Sequence, residues 1–570
     1  MILESRDLYT LIVDHIKKHG YEVTCDKNHI VTTHAFKDMV FEIEGKLDNS
    51  FPYELPRFWL LERSKFKHLA HVGWDNETNK GIICEGVSIN RHLDYSKPEI
   101  VYLKALQSAE KTIVSGLLDK SKNEAEIIEE FTAHWRFSSH EVKSVLSFVE
   151  PQSMIVELQS ISKNHSNWAT ILNQPNCKNI NHKYEFRKRL QKQSQIEGKA
   201  FYIPVKIKTL PPDPTTSIID WWKSILNILS PEQVKELKVI ARRNCAKKLW
   251  LLGSVVLQDN KHGWFCIKFS NPSKQKLPIY PSCDFSNWEA KAYDVELHNK
   301  VHLKPRGGAT LSKPKPKTIA IVGCGSVGAE VARQLVCSGV ENIELVEYDD
   351  LETANIYRHY LSSEYIGVSK SEALAYELSC KYPYTNIVKS TCTKLKDCLD
   401  SSFLERIDGV IVATGSPTDE RYFNEILVKM SSRPWVIYVW VEGHGFGGHA
   451  VYVHNSGRGC LNCLYRDSEG NKSLESIQNF LKAEQNIAID LSGCGSHFLP
   501  YSFADAIQSA LLATRLATQA ISGEICKSCR ISWKASFSTN STLETTYRFK
   551  NFNSSLVPEE LLWEDCDVCQ

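Results

Sequence analysis

Three glycines in the second half of the chain mark the clearest candidate for a nucleotide site. Gly323, Gly325 and Gly328 form a G-x-G-x-x-G motif between the apolar run TIAIV and a stretch with helical periodicity. In a strand-turn-helix, glycine permits the tight turn and lets backbone N–H groups approach a phosphate at the helix N-terminus. The loop alone does not specify the nucleotide. An NAD-linked oxidoreductase uses the same motif, and Glu347, after the next predicted strand, would suit its ribose.

The residues that follow this second predicted strand favour ATP over a nicotinamide cofactor. They supply one acid, one amide and two cations, namely Asp349, Asn355, Arg358 and Lys370. This is more positive charge than a neutral nicotinamide requires, and charge-assisted hydrogen bonds from arginine and lysine suit a triphosphate. The sequence therefore predicts an ATP site.

Three close cysteine pairs indicate metal binding. They are Cys460/Cys463, Cys526/Cys529 and Cys566/Cys569, among 18 cysteines in the chain. Two C-x-x-C pairs can present four thiolates to one zinc ion in tetrahedral geometry. From the residues alone, either Cys526/Cys529 or Cys566/Cys569 could complete a site with Cys460/Cys463.

Two other cysteines are candidate nucleophiles. Cys494 lies in the turn IDLSGCGSHF just before a long apolar-periodic helix, where exposure and a helix N-terminus lower a thiol pKa. The alternative is a packed loop cysteine, and His497 is near enough in sequence to assist. Cys84 ends the run GIIC, so we expect it to be exposed after a strand, with a buried structural cysteine as the alternative.

The pattern of elements predicts an α/β multidomain chain. The alternating Lys and Pro of residues 310–317 indicate an extended spacer. The βαβ pattern after it predicts a predominantly parallel, Rossmann-like sheet flanked by helices. The first part of the chain reads as a small α+β domain. We therefore predict domains at 1–118, 119–309 and 310–570, the middle one a linker or docking domain without a catalytic motif.

Composition excludes several classes of protein. The chain has 570 residues, and 68 Lys and Arg against 67 Asp and Glu give a net charge of +1. This balance gives no global attraction to nucleic acid or to an anionic membrane. Early charges at Glu4, Arg6 and Asp7 do not fit a secretory signal, and no apolar run would span a bilayer. We predict a cytoplasmic protein with no membrane or nucleic-acid partner.

The back half resembles the ubiquitin-activating and molybdopterin-synthase adenylyltransferase (ThiF/MoeB) family. Glu347-Tyr348-Asp349, then Asn355-Ile356-Tyr357-Arg358, then Lys370 match the family's acid-x-Asp, N-x-x-R and lysine in order and spacing. The resemblance implies that Glu347 holds the ribose, that Asn355, Arg358 and Lys370 hold the phosphates, and that ATP adenylates a C-terminal carboxylate. It also implies a thioester on Cys494 and structural zinc on Cys460, Cys463, Cys566 and Cys569.

One part of the family pattern is missing. The family usually follows its fourth strand with T-D-N, whose aspartate helps to hold Mg²⁺, whereas this chain reads Ala413-Thr414-Gly415-Ser416-Pro417-Thr418-Asp419. Either Asp419 or Glu420 substitutes for that aspartate, with Asp419 favoured, or the metal relies on Asp349 and the phosphates.

The front of the chain resembles the ubiquitin-conjugating fold. The resemblance rests on FPYELPRFWLLE at 51–62 and HVGWDNETNKGIIC at 71–84, and it implies that Cys84 is an acyl acceptor. The usual His-Pro-Asn is replaced by His71-Val72-Gly73, 13 residues before the cysteine. The asparagine that supports isopeptide formation is therefore unassigned, and Asp75 and Asn76 are weak stand-ins.

Together these two halves resemble the fused activating and conjugating proteins of bacterial cyclic-oligonucleotide antiphage (CBASS) operons. That resemblance implies a homodimer and a relay. The C-terminus of a cGAS-like cyclic-oligonucleotide synthase would be adenylated, passed through Cys494 to Cys84, and joined to a target lysine or other amine. Arg306 is a candidate to reach the ATP of a neighbouring subunit. The alternatives are a sulfur-carrier adenylyltransferase, in which Cys84 is idle, an NAD-linked oxidoreductase, and a structural scaffold that hydrolyses no ATP.

Overall fold

The structure is a computed structural model. It describes residues 5–26, 29–75, 77–84, 92–139, 142–162, 167–174, 184, 195–308, 317–467, 469–491, 497–535, 542–553 and 557–569. The chain forms two compact units. The first unit comprises residues 1–177 and 193–299, and the second comprises residues 178–192 and 300–570.

The first unit opens with a small α+β fold, as the sequence predicts. Its five-stranded antiparallel sheet has the order β1-β2-β3-β4-β5. Two helices pack on the sheet, with Ile12 and Ile16 of α1 and Tyr102 and Leu106 of α2 wholly buried. The bounds are α1 Ser5–Lys18, β1 Glu22–Asp26, β2 His29–Phe36, β3 Met39–Lys46, β4 Arg57–Leu60, β5 Gly81–Ile83 and α2 Pro98–Leu118.

The same unit contains a second, nine-stranded sheet that the sequence did not predict as a whole. Its order is β13-β12-β11-β10-β7-β8-β6-β14, with β9 paired to β7. Its core includes four buried tryptophans, and one of them, Trp135, donates its indole N–H to the Tyr293 carbonyl (2.9 Å). The bounds are α3 Lys120–Glu129, α4 Phe131–Phe137, β6 Ser144–Ser147, β7 Val156–Ser162, β8 Trp168–Asn173, β9 Gln195–Ile196, β10 Lys199–Val205, α5 Ile218–Ile228, α6 Pro231–Arg243, β11 Cys245–Val256, β12 His262–Lys276, β13 Glu289–Tyr293 and β14 Val295–Leu297.

The second unit is built on an eight-stranded sheet with the order β17-β16-β15-β18-β19-β20-β23-β24. The first five strands of that order are parallel, and β20, β23 and β24 extend the sheet antiparallel. β15 and β18 are buried on both faces, which explains their continuous apolar sequence. The predicted α/β class is confirmed. The βαβ pattern did not predict the antiparallel strands β20, β23 and β24.

The other elements of the second unit surround this sheet. Their bounds and those of its strands are α7 Lys300–Leu303, β15 Thr318–Val322, α8 Ser326–Cys337, β16 Asn342–Val346, α9 Lys370–Lys381, β17 Asn386–Lys389, α10 Ser401–Leu404, β18 Gly409–Val412, α11 Pro417–Val428, β19 Trp435–Val441, β20 Gly447–Val453, β21 Ile489–Asp490, β22 His497–Phe498, α12 Phe503–Ser522, β23 Cys529–Lys534, α13 Tyr547–Asn551 and β24 Glu559–Glu560. No helix within the described ranges is both long enough and apolar enough to cross a lipid bilayer.

The predicted domain boundaries stay predictions. Of the proposed spacer at 310–317, only Lys317 lies within the described residues. The five-stranded sheet ends at residue 83, and the nine-stranded sheet occupies residues 144–297. The region that the sequence assigns to a linker or docking domain contains this sheet and has its own core.

Candidate functional sites

The glycine loop connects β15 to α8, as the motif predicts. Gly323 has a left-handed φ of +88°, and its N–H donates to the Val346 carbonyl (3.0 Å). A Cβ on Gly323 would lie 2.6 Å from the Ala413 carbonyl oxygen, and one on Gly328 would lie 1.8 Å from that of Gly323. A Cβ on Gly325, directly before α8, would meet nothing within 4 Å. Packing therefore requires glycine at positions 323 and 328. Gly325 leaves space for an anion beside the N-terminus of α8.

Glu347 holds the glycine loop to the end of β16. It is buried, and its carboxylate accepts the backbone N–H groups of Cys324 (2.8 Å), Tyr348 (2.8 Å) and Asp349 (3.1 Å). These bonds give the residue a structural function in addition to the ribose contact predicted from the sequence.

His359 also holds the glycine loop, although no sequence pattern singled it out. Its Nε2 donates to the Cys324 carbonyl (2.8 Å) and its Nδ1 accepts the Leu361 N–H (3.1 Å). Burial is the main cause that lowers the pKa of His359, so the ring is neutral near pH 7. Both backbone groups of Cys324, inside the glycine motif, are thus fixed by side chains.

The predicted phosphate ligands lie on two elements. Lys370 begins α9 and is mostly buried, with its Nζ 3.4 Å from an Asp349 carboxylate oxygen. Asn355 and Arg358 lie on the short 3₁₀ helix Thr353–Arg358, where the Asn355 side chain accepts the Glu352 N–H (3.2 Å). Lys370 is therefore paired with an acid that the same motif supplies.

Arg358 contacts a segment far along the chain. Its guanidinium donates to the Leu499 carbonyl (3.4 Å) and lies over the Tyr501 ring, 5.3 Å from the centroid. The Tyr501 hydroxyl is in turn 2.7 Å from the Ser326 hydroxyl at the start of α8. Sequence reasoning missed Tyr501, because nothing local signals a partner 175 residues away.

The two acids considered for Mg²⁺ differ in environment. Asp419 is exposed in the first turn of α11 and accepts the Ser416 hydroxyl (2.9 Å). Glu420 is buried and accepts the Thr414 hydroxyl (2.7 Å), and burial raises its pKa to about 7. Because Asp419 is exposed and Glu420 is buried and bonded to Thr414, Asp419 is the better candidate ligand.

Four cysteine thiols predicted to bind zinc lie together. Cys460, Cys463, Cys566 and Cys569 are buried, with all four sulfur atoms within 4.8 Å of one another. The Cys460–Cys566 and Cys463–Cys569 sulfur distances are 3.8 and 3.6 Å. Zn–S bonds of about 2.3 Å in a tetrahedron require sulfurs about 3.8 Å apart, so the donor set fits zinc. Cys526 is exposed and Cys529 lies in β23, and neither joins the cluster.

Cys494 lies outside the described residues, so its predicted role stays a prediction. The neighbouring His497 begins β22 and is exposed. Arg306 is also exposed and donates to the His302 carbonyl within its own short helical turn. Its predicted reach toward a neighbouring ATP likewise stays a prediction.

Cys84 is exposed directly after β5, so the alternative of a buried structural cysteine does not apply. Its N–H donates to the His71 carbonyl (2.8 Å), and the Gly73 N–H donates to the Ile82 carbonyl (2.8 Å). Residues 71–73, at the end of the segment 66–73, therefore pair with the strand that leads to the thiol. Asp75 accepts the Glu77 N–H and the Thr78 hydroxyl within its own turn, and Asn76 lies outside the described residues.

Polar side chains hold the backbone of the segment 66–73. The wholly buried guanidinium of Arg63 donates to the carbonyls of Phe66 (2.5 Å), Lys67 (2.8 Å) and Gly73 (3.0 Å). Asn123 of α3 accepts the Ala70 N–H (2.8 Å) and donates to the His68 carbonyl (3.0 Å). Arg63 and Asn123 are buried, so their polar groups need hydrogen-bond partners, and the backbone of this irregular loop supplies them. These bonds fix the loop.

The family matches agree with this geometry. The ThiF family matches residues 298–548, and the prokaryotic E2 family B matches residues 10–144. The chain therefore combines a ThiF-type adenylation domain with a prokaryotic E2-type domain, and it is an ATP-dependent adenylating, ubiquitin-transferase-like enzyme. The interpretation of the glycine loop as a nicotinamide site has no support in these matches.

Its curated relatives share both halves. The chain is 22% identical over 512 residues to the ATP-dependent ubiquitin transferase-like protein Cap2 of Escherichia coli (strain TW11681), covering 79% of this chain and 80% of the relative. It is 24% identical over 500 residues to Cap2 of Pseudomonas aeruginosa (strain BWHPSA011 / Pa011), covering 84% and 85%.

Shorter matches include a NEDD8-activating enzyme E1 catalytic subunit from Dictyostelium discoideum, 25% identical over 155 residues, covering 25% of this chain and 35% of the relative. Among solved structures, E. coli MccB with MccA-N7isoASN aligns with 45% of this chain and 67% of that chain, at 17% identity and a TM-score of 0.30.

Proposed function

We propose that this enzyme uses ATP and Mg²⁺ to adenylate the C-terminal carboxylate of a partner protein and then conjugates that carboxyl group to an amine. The resemblance to CBASS proteins, and the Cap2 relatives, support a cyclic-oligonucleotide synthase as the partner and a role in antiviral defence in the cytoplasm. The observation that carries the proposal is an exposed Cys84 on a conjugating-type sheet, in one chain with a ThiF-type glycine loop.

The chemistry proceeds in four balanced steps. The partner carboxylate attacks the α-phosphorus of ATP, forming the acyl adenylate and releasing pyrophosphate. The thiolate of Cys494 attacks the acyl carbon and releases AMP. Cys84 then takes the acyl group by thioester exchange, which regenerates the Cys494 thiol and is nearly isoenergetic. An amine finally attacks the Cys84 thioester, forms the amide and releases the thiol.

We assign roles in the first step from the contacts around the glycine loop. The α8 N-terminus beside Gly325 would hold phosphate, and Lys370 and Arg358 would neutralise the charge that develops on it. Asp349 and Asp419 are the acids proposed for Mg²⁺, and Glu347 would bind the ribose. Zinc at the four cysteines would stabilise the fold, and it takes no part in the reaction. The family resemblance supports a homodimer.

A sulfur-carrier adenylyltransferase is the second candidate. It would need the ThiF unit alone and would leave Cys84 without a function. The exposed thiol and the polar support of the segment 66–73 favour the conjugating function, because neither is needed for adenylation.

Pyrophosphate exchange tests the adenylation step. We expect ATP–pyrophosphate exchange only when the proposed partner, a cGAS-like cyclic-oligonucleotide synthase, is added with its C-terminus intact. Lys370→Ala should slow this exchange by about 30-fold, as expected when a charge-assisted bond worth roughly 2 kcal/mol is lost.

The matched control is Lys396→Ala, because Lys396 is exposed on the same unit and should leave the exchange unchanged. Exchange that persists without the partner, or that Lys370→Ala leaves unaffected, would contradict the proposal.

A further inference from the structure

His71, beside Cys84, has an unusual backbone conformation. Its φ is +60°, in the left-handed region that non-glycine residues rarely adopt. Such conformations persist only where surrounding contacts over-determine them, and they cluster at functional sites. The contacts that hold His71 in place therefore bear on the thiol next to it.

Glu130 supplies those contacts with one carboxylate. One oxygen is 2.6 Å from the His71 ring Nδ1, and the other accepts the His71 backbone N–H (3.0 Å). Glu130 lies at the junction between α3 and α4, where its own N–H donates to the Glu126 carbonyl (3.0 Å) and its carbonyl accepts from Ala133 (2.9 Å). Two helices thus fix the position of the acid that holds His71.

The charges around this pair favour the imidazolium form of His71. The hydrogen bond to Glu130 is the largest cause that raises the His71 pKa above its ordinary 6.5, against an opposing contribution from burial. Glu126 has an oxygen 3.7 Å from Nε2 and attracts the same ring, whereas Lys122 repels it. His134, with Nε2 3.6 Å from Glu130, shares the carboxylate.

His71 contacts Cys84 through its backbone. Its carbonyl accepts the Cys84 N–H at 2.8 Å. The position of that carbonyl depends on the φ of His71, which the two contacts with Glu130 hold.

We propose that Glu130 is a positioning residue for acyl transfer at Cys84. By holding His71 in its left-handed conformation, Glu130 fixes the position of the His71 carbonyl, which accepts the hydrogen bond from the Cys84 N–H. This inference rests on the proposed function of Cys84 as an acyl carrier. It assigns a role to a residue at a helix junction outside the motif that contains the thiol.

The ion pair between Glu130 and His71 gives acyl transfer to Cys84 a defined pH dependence. Because the His71 pKa is raised in the folded protein, the ion pair is complete below pH 6.5 and is lost as the pH rises through the folded pKa. The advantage of the wild type over a variant without the carboxylate should therefore be largest at low pH and shrink as the pH rises.

The test compares the full chain with Glu130→Ala, and Glu124→Ala serves as the control. Glu124 lies on α3, six residues before Glu130, and its 3.9 Å pairing with Lys120 is exposed. We expect Glu130→Ala to speed hydrogen exchange at the Cys84 amide and to slow acyl transfer to Cys84, each by about tenfold at pH 6.5, because small misplacements at a reacting centre are costly. Adenylation should be unchanged in both variants.

Rescue separates positioning from general loss of structure. Glycine adopts a positive φ freely, so adding His71→Gly to Glu130→Ala should recover most of the transfer and remove the pH dependence of the defect. The proposal would be overturned if Glu130→Ala showed wild-type rates of hydrogen exchange at the Cys84 amide and of acyl transfer to Cys84. It would also be overturned if the transfer defect were equal at every pH and were not rescued by His71→Gly. If the wild type never carries an acyl group on Cys84, the proposed function fails, and amide exchange alone decides whether Glu130 holds the site.

Discussion

Replacing Gly328 with alanine will lower partner-dependent pyrophosphate exchange by at least about 100-fold, the cost of misplacing reacting groups by about 1 Å. The new Cβ would lie 1.8 Å from the Gly323 carbonyl oxygen and 3.0 Å from the Gly323 carbonyl carbon. These are backbone atoms of the loop itself, so no side chain can turn aside to make room. α8 must move away from the loop, and the N–H groups at its N-terminus then no longer lie where phosphate binds.

Gly325→Ala is the matched control for this substitution. A Cβ there meets nothing within 4 Å, so the thermal stability of the chain should be unchanged. Its exchange should fall only through weaker ATP binding, because the added methyl group occupies the space proposed for phosphate. Wild-type exchange in Gly328→Ala would show that this loop does not bind the nucleotide.

Removing one thiol of the four-cysteine cluster will release the metal and destabilise the ThiF unit. Purified wild-type chain should contain about one zinc per chain, and Cys566→Ala should contain none. Structural zinc sites contribute on the order of 10 kcal/mol of binding free energy, of which we expect several kcal/mol to be lost as stability. The melting temperature of this unit should fall by roughly 10 °C, measured by calorimetry together with metal analysis.

Cys526→Ala is the control for the zinc experiment. Cys526 is exposed and lies outside the cluster, so its removal should change neither the zinc content nor the melting temperature. A wild-type chain without zinc, or a Cys566→Ala variant that retains it, would contradict the assignment.

The sequence predicts best the features that depend on residues close together in the chain. The glycine spacing required a strand, a tight turn and a helix, and β15, Gly323 and α8 have that arrangement. The continuous apolar runs predicted buried strands, and β15 and β18 are buried. Pairing Cys460 and Cys463 with the last two cysteines, however, depended on the family resemblance, because spacing alone left Cys526 and Cys529 open.

Contacts between residues distant in sequence could not be predicted in this way. Tyr501 reaches Ser326 and Arg358 only because the chain returns to the glycine loop after residue 490. Glu130 reaches His71 across 59 residues, through a helix junction that no motif marks. The nine-stranded sheet was missed for a related reason. Its pairings of β10 with β7, β8 with β6 and β6 with β14 join strands that are not consecutive in the chain, so no local pattern reveals the whole sheet.

The most direct test of the account is the detection of a thiol-labile acyl adduct on Cys84. The full chain is mixed with ATP, Mg²⁺ and a cGAS-like cyclic-oligonucleotide synthase, run on a non-reducing gel, and digested for mass spectrometry of the Cys84 and Cys494 peptides. We expect an adduct on Cys84 in the wild type, retention on Cys494 in Cys84→Ala, and adenylation without any adduct in Cys494→Ala. An adduct that never reaches Cys84, or conjugation that survives Cys84→Ala, would contradict the relay.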